Sequence, residues 1–248
     1  MSDLQALAGR LPPPDRLALF LDVDGTLIGA THDAREHGIT PARIALLDSL
    51  RQRLGGALAV LTGRTVESVD RFLAPLVLPC GGLQGADRRY ASGKRVMPVL
   101  TAEERRLFEG IVEDVAAFFP NVEIEWKPGG LSLVYTEGVA YIGQLHALLT
   151  DRVNGEFKVM RGRVAIDIVP LDAHKGHALD AFMATETFTG RVPVHIGDDT
   201  PDEPAFRAAR TAGGFGISVH RRSPDAAHVI GSESETWALL DAYHDRYK

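Results

Sequence analysis

Cysteine occurs once in this chain, at Cys80. No intrachain disulfide can form, and a reducing compartment is the natural fit. Long apolar runs are also missing. The stretch Leu17 to Leu21 is far too short to cross a bilayer, and Met1 to Arg10 carries Asp3 and Gln5 in place of the apolar segment of a secretory signal. A basic excess is absent as well, since the formal net charge is −6. That balance argues against nucleic acid or an anionic membrane as the main partner, while leaving room for a local basic pocket. No internal repeat, low-complexity tract, coiled-coil pattern or large apolar stripe is evident. The expectation is a soluble, cytoplasmic monomer with no nucleic-acid or membrane partner.

What is present is an ordinary globular composition, 45% hydrophobic and 24% charged over 248 residues. That suffices for one large domain or two modest ones. Three short apolar runs each end in polar residues. Ala18 to Leu21 leads to Asp22, Ala57 to Leu61 to Thr62-Gly63, and Val192 to Ile196 to Gly197-Asp198-Asp199. Continuous apolar strands point to a parallel sheet buried on both faces, and Pro193 is tolerated at a strand start. Helical spacing lies between them, with Ile44, Leu47, Leu50, Leu54 in one stretch and Ala178, Leu179, Phe182, Met183 in another. Alternation of this kind predicts a doubly wound, Rossmann-like α/β core, whose ligands gather beyond the carboxyl ends of the strands.

Two segments break the alternation. Pro12-Pro13-Pro14 closes a short N-terminal piece, predicted to be a frayed helix or arm. The middle of the chain predicts a helix over 102–119 with Leu107, Ile111, Val115 and Phe118 on one face. A hairpin of 122–126 and 131–135 follows around Pro128-Gly129-Gly130, then a helix over 141–149. Strands over 157–160 and 164–169 turn near Gly162. This helix–hairpin–helix–hairpin block is α+β in character. The expected organisation is therefore a core of residues 1–97 and 171–248, with a smaller α+β domain inserted at 98–170.

Chemistry concentrates at the strand tips. Asp22-Val23-Asp24-Gly25-Thr26 sets two carboxylates at one turn, an arrangement that is costly without a cation. Magnesium, which takes oxygen ligands, is the natural counterion. Asp-Gly turns after strands are common, but the pentapeptide and its strand context favour a site over a plain turn. Thr62-Gly63-Arg64 offers a hydroxyl and free backbone N–H groups to an anion, although Thr-Gly alone is more often a turn or a cap. Lys175 precedes an amphipathic helix, where its charge opposes the helix dipole unless an anion compensates; alone it reads as a solvated lysine. Four of the seven residues from Gly197 to Glu203 are acidic. A helix start accounts for Asp202 and Glu203, but not for the Asp198-Asp199 pair at a strand tip.

In this order the four motifs resemble those of the haloacid-dehalogenase-like phosphatase superfamily: Asp-x-Asp-Gly-Thr, a Thr or Ser after a strand, a Lys, and an acidic Gly-Asp-Asp. The stretch between Asp24 and Thr62 leaves little room for an extra domain, whereas that between Thr62 and Lys175 holds the α+β block. That placement is similar to the subfamily with an α/β cap in this gap. Over nearly its whole length the chain resembles the trehalose-6-phosphate phosphatase family. The supporting stretches are Gly85 to Arg89, Glu125-Trp126-Lys127, Asp167 to Pro170, Lys175-Gly176 and Gly197 to Glu203. It departs from that family at Gln84, where His is usual, and at Asp87 and Asp167, where Glu is usual. Val134-Tyr135-Thr136 stands where His-Tyr-Arg is frequent, and Pro201 where Thr is usual.

The resemblance implies a magnesium-dependent phosphatase acting on trehalose 6-phosphate through an aspartyl-phosphate. Asp22 is the implied nucleophile and Asp24 the acid–base. Mg²⁺ is implied at Asp22, Asp198 and the backbone carbonyl of Asp24. Thr62 and Lys175 complete the catalytic set, with Gly63 and Arg64 beside them on the phosphate. Glu125, Lys127 and Asp167 on the cap, with Gln84, Asp87 and Arg88 on the core side, are the sugar-reading candidates. Asp199 and Asp202 orient the others. The rival readings are a phosphatase of another sugar phosphate or of a phosphoglycerate glycoside, and a non-catalytic sugar-phosphate-binding protein.

Overall fold

The computed structural model describes residues 3–29, 39–135, 140–153, 155–162 and 165–248. In chain order, helix α1 (Asp3–Ala8) precedes strand β1 (Leu17–Leu21), followed by α2 (Pro41–Arg53), β2 (Leu58–Leu61), α3 (Val66–Leu73) and β3 (Cys80–Gly82). A short 3₁₀ turn (Leu83–Gly85) leads to β4 (Asp87–Arg89) and β5 (Arg95–Val96). Then come α4 (Ala102–Phe118), β6 (Glu123–Lys127), β7 (Gly130–Val134), α5 (Ile142–Arg152), β8 (Phe157–Arg161) and β9 (Ala165–Pro170). The chain closes with α6 (Lys175–Met183), β10 (Val192–Gly197), a 3₁₀ turn (Thr200–Asp202), α7 (Glu203–Thr211), β11 (Phe215–Val219), β12 (His228–Ile230) and α8 (Glu233–Arg246).

The larger sheet runs β12-β11-β10-β1-β2-β3-β4-β5. Pairing is parallel from β12 through β3 and antiparallel from β3 to β5. Chain order runs outward in both directions from the β1–β10 pair, so their carboxyl ends form the topological switch point of a doubly wound α/β sheet. The register matches Leu21 with Ile196, which sets Asp22 and Gly197 next to each other beyond the strands. Every residue of β1 and β2 is buried, as expected of strands covered on both faces. The large hydrophobic cluster around Phe20, Leu47, Leu61, Phe182 and Leu239 lies about this sheet.

The second sheet is antiparallel throughout, in the order β6-β7-β9-β8. Its alternate residues Leu131, Leu133, Ile166 and Ile168 join Phe108, Ile111 and Val115 of α4 and Leu145 and Leu149 of α5 in a separate cluster. The period of two then turns Ser132 and Asp167, paired in register with Glu125, onto the opposite face.

Two expectations need correction. The N-terminal segment is not frayed: Leu7, Ala8 and Leu11 are buried in the main cluster, α1 packs on α8, and Tyr243 Oη donates to the Pro12 carbonyl at 2.8 Å. Apolar contact along α8 outweighs the marginal helicity of six residues. On α4, Phe118 is 69% exposed; the inward face is carried by Phe108, Ile111 and Val115, with Phe119 closing the turn beyond the helix. The run Phe118-Phe119 is ambiguous by periodicity, and the helix ends between the two. Strand β9 is described from Ala165, and Val164 and Thr136 lie outside the described residues. Among the described residues no helix is long and apolar enough to cross a membrane.

Phe108 is fully buried and meets Phe157 edge-on, with ring centroids 4.9 Å apart. Phe108→Ala leaves a cavity at the centre of the smaller cluster. Urea unfolding should show a loss of about 3–5 kcal/mol.

Candidate active site

The site begins where β1 leaves the sheet. The Asp22 N–H still donates to Ile196 of β10 at 2.9 Å, so its side chain is fixed at the strand tip, 4% exposed. The chain then curls back, with the N–H groups of Thr26, Leu27 and Ile28 all donating to the Val23 carbonyl. Gly25 is required twice over: its φ is +84°, and a Cβ there would lie 2.1 Å from Asp198 Oδ2. The glycine thus lets the β1 loop touch the carboxylate at the tip of β10. Thr26 Oγ1 makes a long contact, 3.4 Å, with Asp22 Oδ2.

Lys175 opens α6, capped by His174, whose Nδ1 accepts the His177 N–H at 2.8 Å. The lysine is 3% exposed, and its Nζ donates to Asp22 Oδ1 and Asp202 Oδ1, both at 2.7 Å. These carboxylates overcome the adverse helix dipole. Asp202 Oδ1 also receives His195 Nε2 at 2.7 Å, and Asp202 Oδ2 accepts the N–H groups of Asp198 and Asp199 at 3.2 Å each. Four donors therefore converge on one carboxylate, which fills its acceptor capacity.

On the neighbouring strand tip, Thr62 is buried, and its Oγ1 accepts the Arg64 N–H at 3.2 Å. The Arg64 guanidinium lies over the Phe72 ring and grips both oxygens of Asp24 at 2.8 Å. From the smaller sheet, Ser132 Oγ donates to Asp167 Oδ1 at 2.7 Å, and Gln84 Nε2 reaches Asp167 Oδ2 at 3.1 Å. Lys127 Nζ pairs with Glu125 Oε2.

Together Asp22, Asp24, Thr62, Gly63, Arg64, Gln84, Lys127, Ser132, Asp167, Lys175, Asp198, Asp199 and Asp202 line one cleft between the two sheets. Glu125 borders it through Lys127. Two expected members are elsewhere. Asp87 is fully buried against Arg95, at 2.8 and 2.6 Å, and Arg88 donates to the Gly85 carbonyl at 2.8 Å. Both belong to the β3–β5 edge, so their adjacency to Gln84 in sequence does not carry them into the cleft. Two residues went unread in the sequence. Ser132 looked like one more strand residue, and its signal is its register opposite Asp167. His195 was hidden inside an apolar run, and its signal is an imidazole in a strand buried from Pro193 onward, which needs a partner.

The electrostatics centre on the Asp22, Lys175 and Asp202 contacts. Burial pushes the Asp22 carboxyl well above its usual range, against the pull of Lys175, and Asp202 and Asp198 push the same way. Burial acts on Asp202 likewise, but Lys175 and His195 outweigh it and hold that carboxyl well below the usual range. Lys175 keeps its proton because Asp202 and Asp22 outweigh the cost of burial. His195 is lowered by burial despite Asp202, so it is a neutral imidazole that donates through Nε2.

Oxygen atoms of Asp22, Asp198 and Asp202 all lie within 4.8 Å of one another. Three buried carboxylates facing one ammonium leave room for a divalent cation, and an all-oxygen donor set suits a hard one. Asp202 is filled by its four donors, and Asp22 and Asp198 stand beside it in the same cluster. The Asp24 side chain is turned to Arg64 and lies outside this carboxylate cluster.

Sequence comparison gives this geometry its context. The sequence model described as trehalose-phosphatase matches residues 20–237. The chain is 34% identical over 228 residues to a probable trehalose-phosphate phosphatase of Sinorhizobium fredii, covering 91% of this chain and 85% of that one. It is 28% identical over 235 residues to a trehalose-6-phosphate phosphatase of Escherichia coli, covering 91% and 86%. Its fold is similar to the C-terminal domain of a C. albicans trehalose-6-phosphate phosphatase, with TM-score 0.81 at 16% identity, covering 98% of this chain and 95% of that one.

Two opposite effects of one substitution test the carboxylate cluster. Without metal, Asp198→Asn should raise the melting temperature, because it relieves Asp22. Added Mg²⁺ should stabilise the unsubstituted protein by about 2.7 kcal/mol at a hundredfold excess over its dissociation constant, and the variant much less. A variant that melts lower without metal yet keeps the full Mg²⁺ shift would show that Asp198 is not a ligand.

Proposed function

The chain belongs to the trehalose-phosphatase family, and from that premise we propose that it hydrolyses trehalose 6-phosphate to trehalose and phosphate through an Asp22 phosphoenzyme. The observation that carries the chemical part is the placement of Asp22: a carboxylate at the switch point of a parallel sheet, held by Lys175 and flanked by Asp198.

Phosphate-monoester hydrolysis is among the slowest of uncatalysed reactions, needing accelerations up to roughly 10²¹. Positioning and charge neutralisation must supply most of that. Asp22 attacks phosphorus in line as the P–O bond to the sugar breaks, leaving an acyl-phosphate on Asp22. Asp24 gives its proton to the departing sugar oxygen. It then takes one from the water that attacks the acyl-phosphate and releases inorganic phosphate, so it serves in both half-reactions. Arg64 holds Asp24 before substrate arrives. Transfer of the guanidinium to a phosphate oxygen would free Asp24 for that role, since a guanidinium pairs equally well with a phosphate. Thr62, the Gly63 N–H and Lys175 hold the remaining oxygens. Asp22, Asp198 and the Asp24 backbone carbonyl would hold Mg²⁺, whose charge supplies the neutralisation that lets a phosphate dianion approach carboxylates. Asp202 keeps Lys175 in place, and Asp199, which accepts the Thr200 N–H, shapes the turn after β10.

Residues 98–170 are read as a cap over a core of 1–97 and 171–248. The polar face of the smaller sheet supplies Glu125, Lys127 and Asp167 for the sugar hydroxyls, because carboxylates accept from hydroxyls and a lysine donates to them.

Phosphate release from trehalose 6-phosphate, with and without chelation, tests the assignment. Chelation should abolish activity and Mg²⁺ restore it. Asp22→Asn should fall to background while keeping the fold. Turnover by that variant rules out the phosphoenzyme, and a wild type that cleaves another sugar phosphate or a phosphoglycerate glycoside while ignoring trehalose 6-phosphate changes the substrate alone.

Glu125→Ala and Lys127→Ala should each lower kcat/KM for trehalose 6-phosphate, relative to that for a small aryl phosphate, by at least about tenfold, or ~1.4 kcal/mol. Equal losses on both substrates would make the pair structural.

A further inference from the structure

Gln84 sits in a conformation that few side chains accept. It follows Leu83 in the 3₁₀ turn after β3, and both have positive φ, 56° and 50°. A left-handed backbone at a non-glycine residue persists only where the surroundings impose it, and such positions cluster at functional sites. Here the Gln84 N–H donates to the Thr62 carbonyl at 2.9 Å, which ties the turn to the tip of β2. The side chain is thereby thrown across Gly63, where an added Cβ would meet Gln84 Nε2 at 2.7 Å and Asp167 Oδ2 at 3.3 Å. Beyond Gly63, Nε2 donates to Asp167 Oδ2, and Ser132 holds the other Asp167 oxygen. The bridge thus joins the loop beside Thr62 to β7 and β9 of the smaller sheet.

Two further observations show that the bridge is made at a cost. Gln84 is 6% exposed, and among the described residues its Oε1 has no hydrogen-bond partner. The cleft beneath encloses about 100 Å³, well short of the roughly 300–1,000 Å³ of sites for drug-sized ligands. Parting the two sheets would open the cleft to a disaccharide phosphate, and it would break the Gln84–Asp167 bond.

We propose that Gln84 is a specificity-positioning residue: it latches the smaller sheet over the phosphate-holding loop through Asp167, and a substrate hydroxyl supplies the donor that its Oε1 lacks. Asp167 then acts as the other half of the latch. Closure over the loop at Gly63 is completed by a ligand that bears a hydroxyl near its phosphate. The inference rests on the reading of residues 98–170 as a cap over a sugar-phosphate site.

The test uses the full-length enzyme with Gln84→Met, Gln84→Glu, Asp167→Ala and the double variant Gln84→Met/Asp167→Ala. Methionine keeps the length but has no donor, and glutamate keeps an acceptor but repels Asp167. Small-angle X-ray scattering of the ligand-free enzyme should give a larger radius of gyration for both Gln84 variants. On trehalose 6-phosphate, relative to a small aryl phosphate, each of Gln84→Met and Asp167→Ala should lower kcat/KM by about tenfold, and the double variant by about tenfold again in total, because the two residues share one interaction. Losses that multiply to about a hundredfold in the double variant, or an unchanged radius of gyration in both Gln84 variants, overturn the latch and leave the substrate assignment standing. A wild type inactive on trehalose 6-phosphate overturns that assignment instead, and the scattering result alone then decides the latch.

Discussion

One buried ammonium facing three buried carboxylates is the constraint around which the rest of this molecule is arranged. Lys175 bonds to Asp22 and Asp202, and Asp198 lies beside them. Such a group is stable in a dry interior only if every member is held by further hydrogen bonds. The doubly wound sheet supplies them. Strand β1 delivers Asp22, β10 delivers Asp198, the first residue of α6 is Lys175, and the turn before α7 brings Asp202 back under the tip of β10. Glycine appears where these elements must touch. At Gly197 a Cβ would fall 2.3 Å from Asp202 Cγ, so the last residue of β10 has to lack a side chain for Asp202 to reach the backbone of Asp198 and Asp199.

The strand tips were readable because everything that marks them is local. A buried parallel strand is an apolar run, and the first polar residue after it is the one the fold presents to the crevice. Asp22, Thr62 and Asp198 were found in this way, and the structure brings them together. What a residue does once it arrives depends on partners distant in sequence. Arg64 seemed suited to a phosphate and is occupied by Asp24. Asp87 seemed suited to a sugar, yet it is fully buried against Arg95 of the adjacent edge strand β5. No periodicity distinguishes these cases, because an acid beside a glycine-rich turn looks the same whichever side of the turn it faces. On α4 the error was smaller and of the same kind. Phe118 and Phe119 are adjacent, and only the end of the helix decides which one points inward.

The two halves of the site differ in how they are held. The reacting groups sit on elements locked into one hydrophobic cluster, whereas Glu125, Lys127 and Asp167 sit on a sheet with a cluster of its own. One direct hydrogen bond between these polar faces, Gln84 to Asp167, is an uncharged donor on a carboxylate. A contact of that strength, roughly 1.5–3 kcal/mol when one partner is charged, can be broken and remade within a catalytic cycle without disturbing either cluster.

His195 extends the rigid half inward. It is itself fully buried in β10 and donates to the same Asp202 oxygen that receives Lys175. Because that carboxylate is acceptor-only, the imidazole must carry its proton on Nε2, and burial keeps it neutral. The result is a chain of contacts, His195 to Asp202 to Lys175 to Asp22, running from the middle of the sheet to the candidate nucleophile. A neutral donor at its inner end adds a hydrogen bond to Asp202 without adding charge. A positive group there would compete with Lys175 for Asp202, and an apolar one would leave a buried carboxylate oxygen with one donor fewer. The position of Lys175, and through it that of Asp22, is thus fixed by a residue that never reaches the cleft.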